Sequence, residues 1–483
     1  LSQWLAQTSL WLDEIWLAQN IRDRGLVELL TTPLANRQMA PPGFLASVEA
    51  TTSVLGVGEL TLRLAPFLAS VIALFLLWRV SVRFLSGLPL AGVLLIAAVS
   101  PALIWYSGNV KQYSGDVAFA LLLILLGLRY AEEPANLRRA AWAGLWGGLA
   151  LLSSHAAVLT GALLGLILLA HTHRAGAQDW RAFSAMACGW ALGAGVTTWA
   201  SLSFSTSEVR GHMRGFWVEG FFPWGEGLLA AVLWVPAQLF RALAHYVVFL
   251  DAEFGSIAAP LACLAVVGVF VLVAQRRVEG LILTAPVLAG LLGGVTGVLP
   301  FRHRLSIHSG AVIVVVAMIG LQYLTRHPAR WRRRVGWTAG AIAILPLPLI
   351  VLLASRPPLR AAETRPVLEA VADRRLPSDR LVAYCWAGPA VEFYGPALGL
   401  SADSVLECAD SEVDARSEAA SIGPGRVWFF YTNTPEPRWS NEIMVGLAGR
   451  GHELDVIVDP HAPDRPGTGA VLYDVREPAV EER

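Results

Sequence analysis

Lysine is nearly absent from this sequence. Lys111 is the only one in 483 residues, and arginine supplies almost all the other basic charge. Charge of either sign is scarce: 15% of residues are Asp, Glu, Lys or Arg, against roughly 25% in soluble domains. The formal net charge is zero, so the basic footprint of a nucleic-acid binder is missing and no nucleic-acid partner is expected. There is no internal repeat and no low-complexity tract. The polar C-terminal part lacks a glycine-rich phosphate fingerprint, so no nucleotide site is expected there. No signal-peptide pattern opens the chain at Leu1, and the expectation is a preceding span that anchors the opening segment. Of the four cysteines, Cys188 and Cys263 fall in apolar runs. Cys385 and Cys408 fall in the polar tail; they are either a disulfide, if the tail faces an oxidising compartment, or two free thiols.

What the sequence does have is apolar material, 55% of all residues, with a mean hydropathy of +0.53. It is arranged in blocks of about 20 residues, the length that spans a hydrocarbon core of about 30 Å. The clearest are 60–84, 88–105, 117–130, 180–203, 257–274, 278–299, 307–324 and 335–354. Segments 142–153 and 156–170 are shorter and read as a closely packed pair, and 43–55 reads as entering the bilayer partway. The sum is about ten spans, an all-α polytopic transmembrane bundle.

Arginine marks the cytoplasmic ends of spans. Clusters at Arg79/Arg83, Arg129/Arg138/Arg139, Arg174/Arg181, Arg276/Arg277 and Arg326/Arg330/Arg332/Arg333/Arg334 alternate with the spans between them. The opposite, outer face then carries 1–59, 106–112, 205–255, 300–306 and everything after Ser355. Three charged groups stand out there: Asp13-Glu14 after an apolar run, Lys111 to Asp116 at the start of a span, and Arg302-His303-Arg304 at the start of another. Charges at that depth are costly unless paired or solvated, which makes them functional candidates. Each also has a purely structural reading. Asp13 and Glu14 suit the first turn of a helix over 15–22 as caps. Arg302 and Arg304 suit snorkelling anchors, although on this face the basic bias should be absent. Asp116, about one turn into its span, suits a structural ion pair.

Lys111 is the most informative of these. Its ammonium is a compact point charge that fits close to a phosphate in a way a guanidinium does not, and it precedes a helix N-terminus, where backbone N–H groups favour anions. The aromatic run 215–224 suits either a headgroup-level anchor or the lining of a lipid-tail groove. The next stretch, 228–250, is apolar but holds Gln238, Arg241 and His245 and reads as an interfacial or re-entrant helix. His155, His212, His245, His303 and His308 are scattered and make no ligand cluster.

After Ser355 the composition changes, and Arg356-Pro357-Pro358 ends the last span. Strands are expected at 381–385, 426–432, 455–459 and 469–474, with helices at 387–394 and 441–449, giving a small α/β domain with partly parallel strands. The organisation expected is an outer loop with interfacial helices over 1–59, a bundle over 60–355 with an outer loop at 205–255, and a domain over 356–483.

Ser9 to Glu14, then Ala40-Pro41-Pro42-Gly43-Phe44, then Leu62 to Pro66, resemble the start of GT-C fold glycosyltransferases. The resemblance is to the bacterial branch related to dolichyl-phosphate-mannose–protein mannosyltransferases and aminoarabinose transferases. Ser100 to Ser107 followed by Lys111 to Asp116 is similar to that family's second acidic segment, and Phe301 to Leu305 resembles its later arginine segment, more loosely. The resemblance covers residues 1–324 and, in looser form, the tail. It implies a GT-C bundle that moves a sugar from a polyprenyl-phosphate donor to an acceptor hydroxyl or amine at the outer membrane face. The acceptor is a protein, lipid or glycan. By the same resemblance Asp13 is the base with Glu14 beside it, Asp116 is the second acid, and Lys111, Tyr113, Arg302 and Arg304 bind substrate. A phosphate leaving group is already a stable anion, so one base suffices where glycosidases use two carboxylates. Attack opposite the phosphate inverts the anomeric centre. A divalent cation bridging acid and phosphate is compatible with this chemistry, but no compact ligand cluster requires it. The implied setting is a bacterial plasma membrane, with site and tail extracytoplasmic. Two other readings stand beside it: a transporter or flippase of a lipid-linked substrate, and a membrane scaffold presenting the tail.

Overall fold

A computed structural model describes residues 1–174, 180–249, 258–275, 277–346, 349, 358–432, 437–461 and 467–476. The chain divides into two compact units, Leu1–Leu5 with Arg24–Leu359, and Ala6–Asp23 with Arg360–Arg483. The helix that carries Asp13 and Glu14 therefore folds with the tail, not with the rest of the first 59 residues.

The first unit is a helical bundle. Two helices, Tyr113–Glu132 and Ile307–Arg326, are buried along most of their length. Both are apolar on every face, as a helix enclosed by other helices must be. Six helices among the described residues are long and apolar enough to cross a membrane: Glu59–Ser81, Tyr113–Glu132, His155–Arg174, Leu228–Val248, Val278–Thr296 and His303–Arg326. The run expected over 88–105 is a bent pair, Leu88–Val99 and Pro101–Ser107, turned by 50°. The bend has a local cause. Pro101 cannot continue the first helix, and the Ser100 side chain instead accepts the Leu103 N–H and caps the second. Counting the pair as one span gives seven among the described residues, fewer than the ten expected. The helices Leu137–Leu152 and Ala259–Gln275 are shorter than a span needs, and only Arg330–Ile344 of the last expected span is seen as a helix before the described residues become sparse.

The close pair expected between 142–153 and 156–170 forms elsewhere. Leu137–Leu152 packs most tightly against Arg181–Phe204, because Gly144, Gly147 and Gly148 on one helix meet Gly189, Trp190 and Gly193 on the other. A Cβ on Gly193 would run into the Gly148 carbonyl, and one on Gly189 into the Gly144 carbonyl. Small residues let helix backbones approach in this way where lipid gives no hydrophobic drive to association.

Leu228–Val248 is a single 21-residue helix. Although it is long enough to cross a membrane, its Trp234 ring packs on Gly294 and Phe222, and its His245 lies against His303. Trp234 thus meets the last turn of Arg277–Thr296, and His245 meets the link that follows it.

The second unit is an α/β domain with one five-stranded sheet of order β2-β1-β3-β5-β4. Its strands are β1 Arg380–Ala383, β2 Ser404–Val405, β3 Gly425–Thr432, β4 Gly451–Val458 and β5 Thr468–Val475. β1 pairs in parallel with β2 and β3, while β5 runs antiparallel to β3 and β4. One core gathers Val382, Val427, Phe429, Val471 and Tyr473 from the sheet with Ile443 and Leu447 from the helix Pro437–Ala448. The two-residue β2 and the helices Thr364–Arg374 and Glu412–Ser421 add to the elements expected from sequence. Cys385 and Cys408, just beyond β1 and β2, form a disulfide. Leu12–Asp23 joins this domain through the helix Gly388–Leu398. The Tyr394 hydroxyl accepts the Leu10 N–H at 2.7 Å, Gln19 donates to Glu392 at 2.9 Å, and Arg22 lies 5.3 Å from the Phe393 ring.

Asp379, whose side chain is fully buried, accepts from Arg426 at 2.7 Å and from the Leu376 N–H at 3.1 Å. Burial opposes its ionisation, but these donors win and hold the carboxyl below the usual carboxylate range. Its contribution to stability is therefore present above the ordinary carboxylate pKa and is lost as pH falls through the lower, folded value. Asp379→Asn is expected to cost about 1–3 kcal/mol at neutral pH, read as faster amide exchange across β1 and β3. The gap from wild type should close in acid, and equal exchange at neutral pH would show the pair to be dispensable.

Candidate active site

Four segments of the first unit meet at one end of the bundle: the turn before Pro42, the link 106–113, the aromatic run around Trp217, and the link 300–306. Lys111 opens the helix Tyr113–Glu132 and is only 6% exposed. Its Nζ donates to Gln38 Oε1 at 2.6 Å, so a residue just ahead of Pro41-Pro42 helps carry its charge. Tyr113, two residues further, packs edge-on against Tyr106 with ring centres 5.0 Å apart. The Tyr106 hydroxyl is hydrogen-bonded to His245 Nε2 at 3.1 Å. Arg304 completes the group, its guanidinium carbon 5.7 Å from the Tyr113 ring and 5.2 Å from the Trp217 ring. Ring faces hold a cation without consuming its hydrogen-bond donors.

Arg302 has a different partner. It pairs with Glu219, which also lies 3.7 Å from Arg241, and the Glu219 carbonyl accepts from Gln238 at 2.6 Å. A backbone bond from Phe301 N–H to the Gly220 carbonyl, 2.8 Å, ties the two links together. His303, between the two arginines, has φ +44°, and Phe249, which packs on Tyr106, has φ +62°. Left-handed backbone at bulky residues is held only where its surroundings over-determine it, and such strain gathers at functional sites.

Asp116 does not face this group with its recorded bond. Its carboxylate accepts from the Ser154 hydroxyl at 2.5 Å, and Ser154 Oγ in turn accepts the Ala157 N–H in the first turn of His155–Arg174. Asp116 thus links the start of one buried helix to the cap of its neighbour. The structural reading made of it from sequence is realised with a serine rather than a cation. On the second unit, Glu14 is 1% exposed and its Oε2 accepts the Trp11 N–H at 3.3 Å. That is the return bond of a capping box, from the third helical residue to the cap position. Asp13, beside it, is partly exposed.

The structure thus brings together Lys111, Tyr113 and Arg304, with Arg302 joined through the 219–220 and 301–302 contacts, while Asp13 and Glu14 lie on the other unit. Gln38, Tyr106, Glu219 and His245 were not picked as site residues. Gln38 had a signal in its place just ahead of Pro41-Pro42, Glu219 in being the acid of an aromatic run, His245 in being a polar residue of the apolar stretch 228–250, and Tyr106 in opening the outer link 106–112. Among the described residues no three His, Cys, Asp or Glu side chains gather as a metal-ligand group.

The sequence matches the model of the dolichyl-phosphate-mannose-protein mannosyltransferase family over residues 39–199. That stretch contains Lys111, Tyr113 and Asp116 but neither the acid pair nor the arginine link. No curated protein matches the chain by sequence. Among solved structures, ArnT from Cupriavidus metallidurans in the apo state is 13% identical, with 99% of this chain and 97% of that one covered and a TM-score of 0.54. The same protein bound to undecaprenyl phosphate is 12% identical, with the same coverage and TM-score. The apo oligosaccharyltransferase of Archaeoglobus fulgidus is 10% identical, covering 97% of this chain and 71% of that one at a TM-score of 0.50. At these identities the likeness is one of fold, the GT-C fold of membrane glycosyltransferases.

Replacing Asp116 separates its structural role from a chemical one. Asp116→Ala leaves the buried Ser154 O–H without its acceptor and is expected to cost about 1–3 kcal/mol of stability. Asp116→Asn keeps an acceptor for that hydroxyl and is expected to melt close to wild type. Thermal unfolding in detergent checks both, and equal melting of all three proteins would show that the Ser154 bond does not hold the helices.

Proposed function

We propose that this chain, a multi-pass membrane glycosyltransferase of the GT-C type, moves a sugar from a polyprenyl-phosphate carrier to an acceptor hydroxyl or amine. The observation that carries the reading is the gathering of Lys111, Arg304 and Tyr113 at one end of an apolar bundle. A carrier lipid presents its phosphate at just such a boundary. The similar fold of ArnT, solved with undecaprenyl phosphate, supports a ligand of that class.

In this reading the bond from the anomeric carbon to the phosphate oxygen breaks with its electron pair going to the phosphate. Lys111 and Arg304 stabilise the charge that grows there. Lys111 does so as a compact donor already oriented by Gln38; Arg304 presents guanidinium donors while its face rests on two rings. Arg302 holds the link in place through Glu219. The acceptor oxygen or nitrogen forms the new bond on the opposite side of the sugar, inverting it, and its proton passes to Asp13. That assignment rests on the resemblance of 9–14 to the family's first acidic segment. Beside Asp13, Glu14 accepts the Trp11 N–H as the return bond of a capping box. Asp116 acts through structure, fixing the helix that Lys111 opens.

We place the site and the tail outside the cytoplasm of a bacterial plasma membrane. The arginine bias lies at the other ends of the spans, and the Cys385–Cys408 disulfide suits an oxidising compartment.

Membranes supplied with a labelled polyprenyl-phosphate sugar test this. Wild type is expected to release free polyprenyl phosphate in step with labelled acceptor. Asp13→Asn should lose about 10²–10⁴ in rate with an unchanged melting temperature. Glu14→Gln, which still accepts the Trp11 N–H, should keep most of its activity. Lys111→Arg should fail nearly as badly as Lys111→Ala, since a guanidinium does not fit the space closed by Gln38. Full turnover in Asp13→Asn removes it from the reaction, and movement of intact donor across the membrane without release establishes a transporter.

A further inference from the structure

We propose that the far end of the bundle binds the phosphate of an anionic phospholipid, at a site that does not depend on the transferase reading. The helix Ile307–Arg326 starts at the candidate active site and runs 20 residues, about 30 Å at the usual rise. At its other end is a cleft of about 300 Å³. The cleft has an apolar floor of Phe84, Val271 and Ile319 and a polar rim of Gln275, Gln322, Arg326 and His327. An apolar floor beneath a cationic rim, at the end of a spanning helix, is the profile of a lipid with its headgroup.

The rim belongs to a strongly basic stretch. Arg326, Arg330, Arg332, Arg333 and Arg334 fall within nine residues, and the sequence contains no Asp or Glu from 280 to 362. None of the five forms an ion pair among the described residues, and Glu132, close by in the fold, is already paired with Arg83. Placing basic residues here satisfies the bias that orients spans, but that bias needs no cleft and no prepared donors.

The donors are prepared. Gln322 is locked by two bonds to the turn after Ser81, accepting the Ser86 N–H at 2.9 Å and donating to the Phe84 carbonyl at 2.9 Å. Arg326 donates to the Ser86 hydroxyl. His327 faces two donors at once: Arg332 Nη1 lies 2.8 Å from Nε2, and the Ala329 N–H points at Nδ1 from 3.1 Å. A neutral imidazole accepts at only one nitrogen, so the two donors compete for it. When Ala329 takes that acceptor, Arg332 has donors to offer an incoming phosphate. Arg332 is also half-buried and 5.2 Å from the Trp331 ring, which keeps it near the rim. Guanidinium groups recognise phosphate through paired N–H donors, and basic side chains next to a span attract anionic lipids roughly additively.

The test uses the full chain in nanodiscs made of phosphatidylcholine with a titrated fraction of phosphatidylglycerol, and native mass spectrometry after mild extraction. The wild type is expected to retain phosphatidylglycerol over phosphatidylcholine. Arg326→Gln with Arg332→Gln should weaken retention about tenfold or more. Arg333→Gln with Arg334→Gln removes the same charge beside the cleft rather than at its rim and should change retention by less than about threefold. Unfolding temperature without anionic lipid, expected to be equal for the three proteins, guards against misfolding. Equal loss in both pairs would reduce the region to a diffuse basic surface and overturn the site. So would equal retention of the two lipids, or full protection by inorganic phosphate alone at millimolar concentration.

Discussion

A lysine ammonium that is 6% exposed at the end of an apolar bundle has to be paid for locally, because an uncompensated charge at that depth costs several kcal/mol. Much of this end of the molecule follows from that requirement. Gln38 turns its carbonyl oxygen toward Lys111, which fixes the turn leading into Pro42–Leu55. Tyr113 presents its ring to Arg304, so a second cation is held close to the first. Glu219, the acid of the aromatic run, goes to Arg302 and Arg241. The result is a cluster of cations, Lys111, Arg302 and Arg304, held by an amide, an acid and two rings at one end of the bundle.

The two arginines of the 300–306 link show how neighbouring residues of one type divide the work. Arg302 is tied to Glu219, whose own chain is fixed by Gln238 and by the backbone bond from Phe301 to Gly220. Arg304 rests on rings. Between them His303 turns the backbone into a left-handed conformation, which breaks the regular alternation of side-chain directions and lets the pair serve different partners. A sequence reading sees two equivalent guanidinium groups; only the geometry distinguishes the arginine held by Glu219 from the one resting on two rings.

The same limit explains what the sequence made legible. The apolar helices and the change of composition after Ser355 are properties of local composition and are present in the fold, although seven spans stand among the described residues against ten expected, and 6–23 joins the tail. The central strands of the tail were readable as short apolar runs, 427–431 and 470–473, whose residues are buried on both faces of the sheet. β2, with two residues, is too short to form such a run. The glycines of 144–148 and 189–193 were visible, but which glycine-bearing helix would accept them depends on tertiary packing, so the close pair was assigned to the wrong neighbour. Ser154 carried no signal at all. Its role comes from lying between Asp116 and the N–H of Ala157, two groups brought together only by the bundle.

The opening segment poses the sharpest case of local and non-local information in conflict. From sequence, Asp13 and Glu14 are interchangeable acids in a first turn, equally fit to cap and equally fit to react. The fold separates them by one step of helical rotation, about 100°. Glu14 points into the domain, buried, and its carboxylate returns to the Trp11 N–H. Asp13 points away from that bond and stays partly exposed. The helix Leu12–Asp23 that carries Asp13 is joined to the tail through Tyr394, Glu392 and Phe393. The unit that contains the tail thus carries the residue to which the proton transfer is assigned, and disturbing its Gly388–Leu398 helix should affect turnover even though that helix lies almost four hundred positions from Asp13 in sequence.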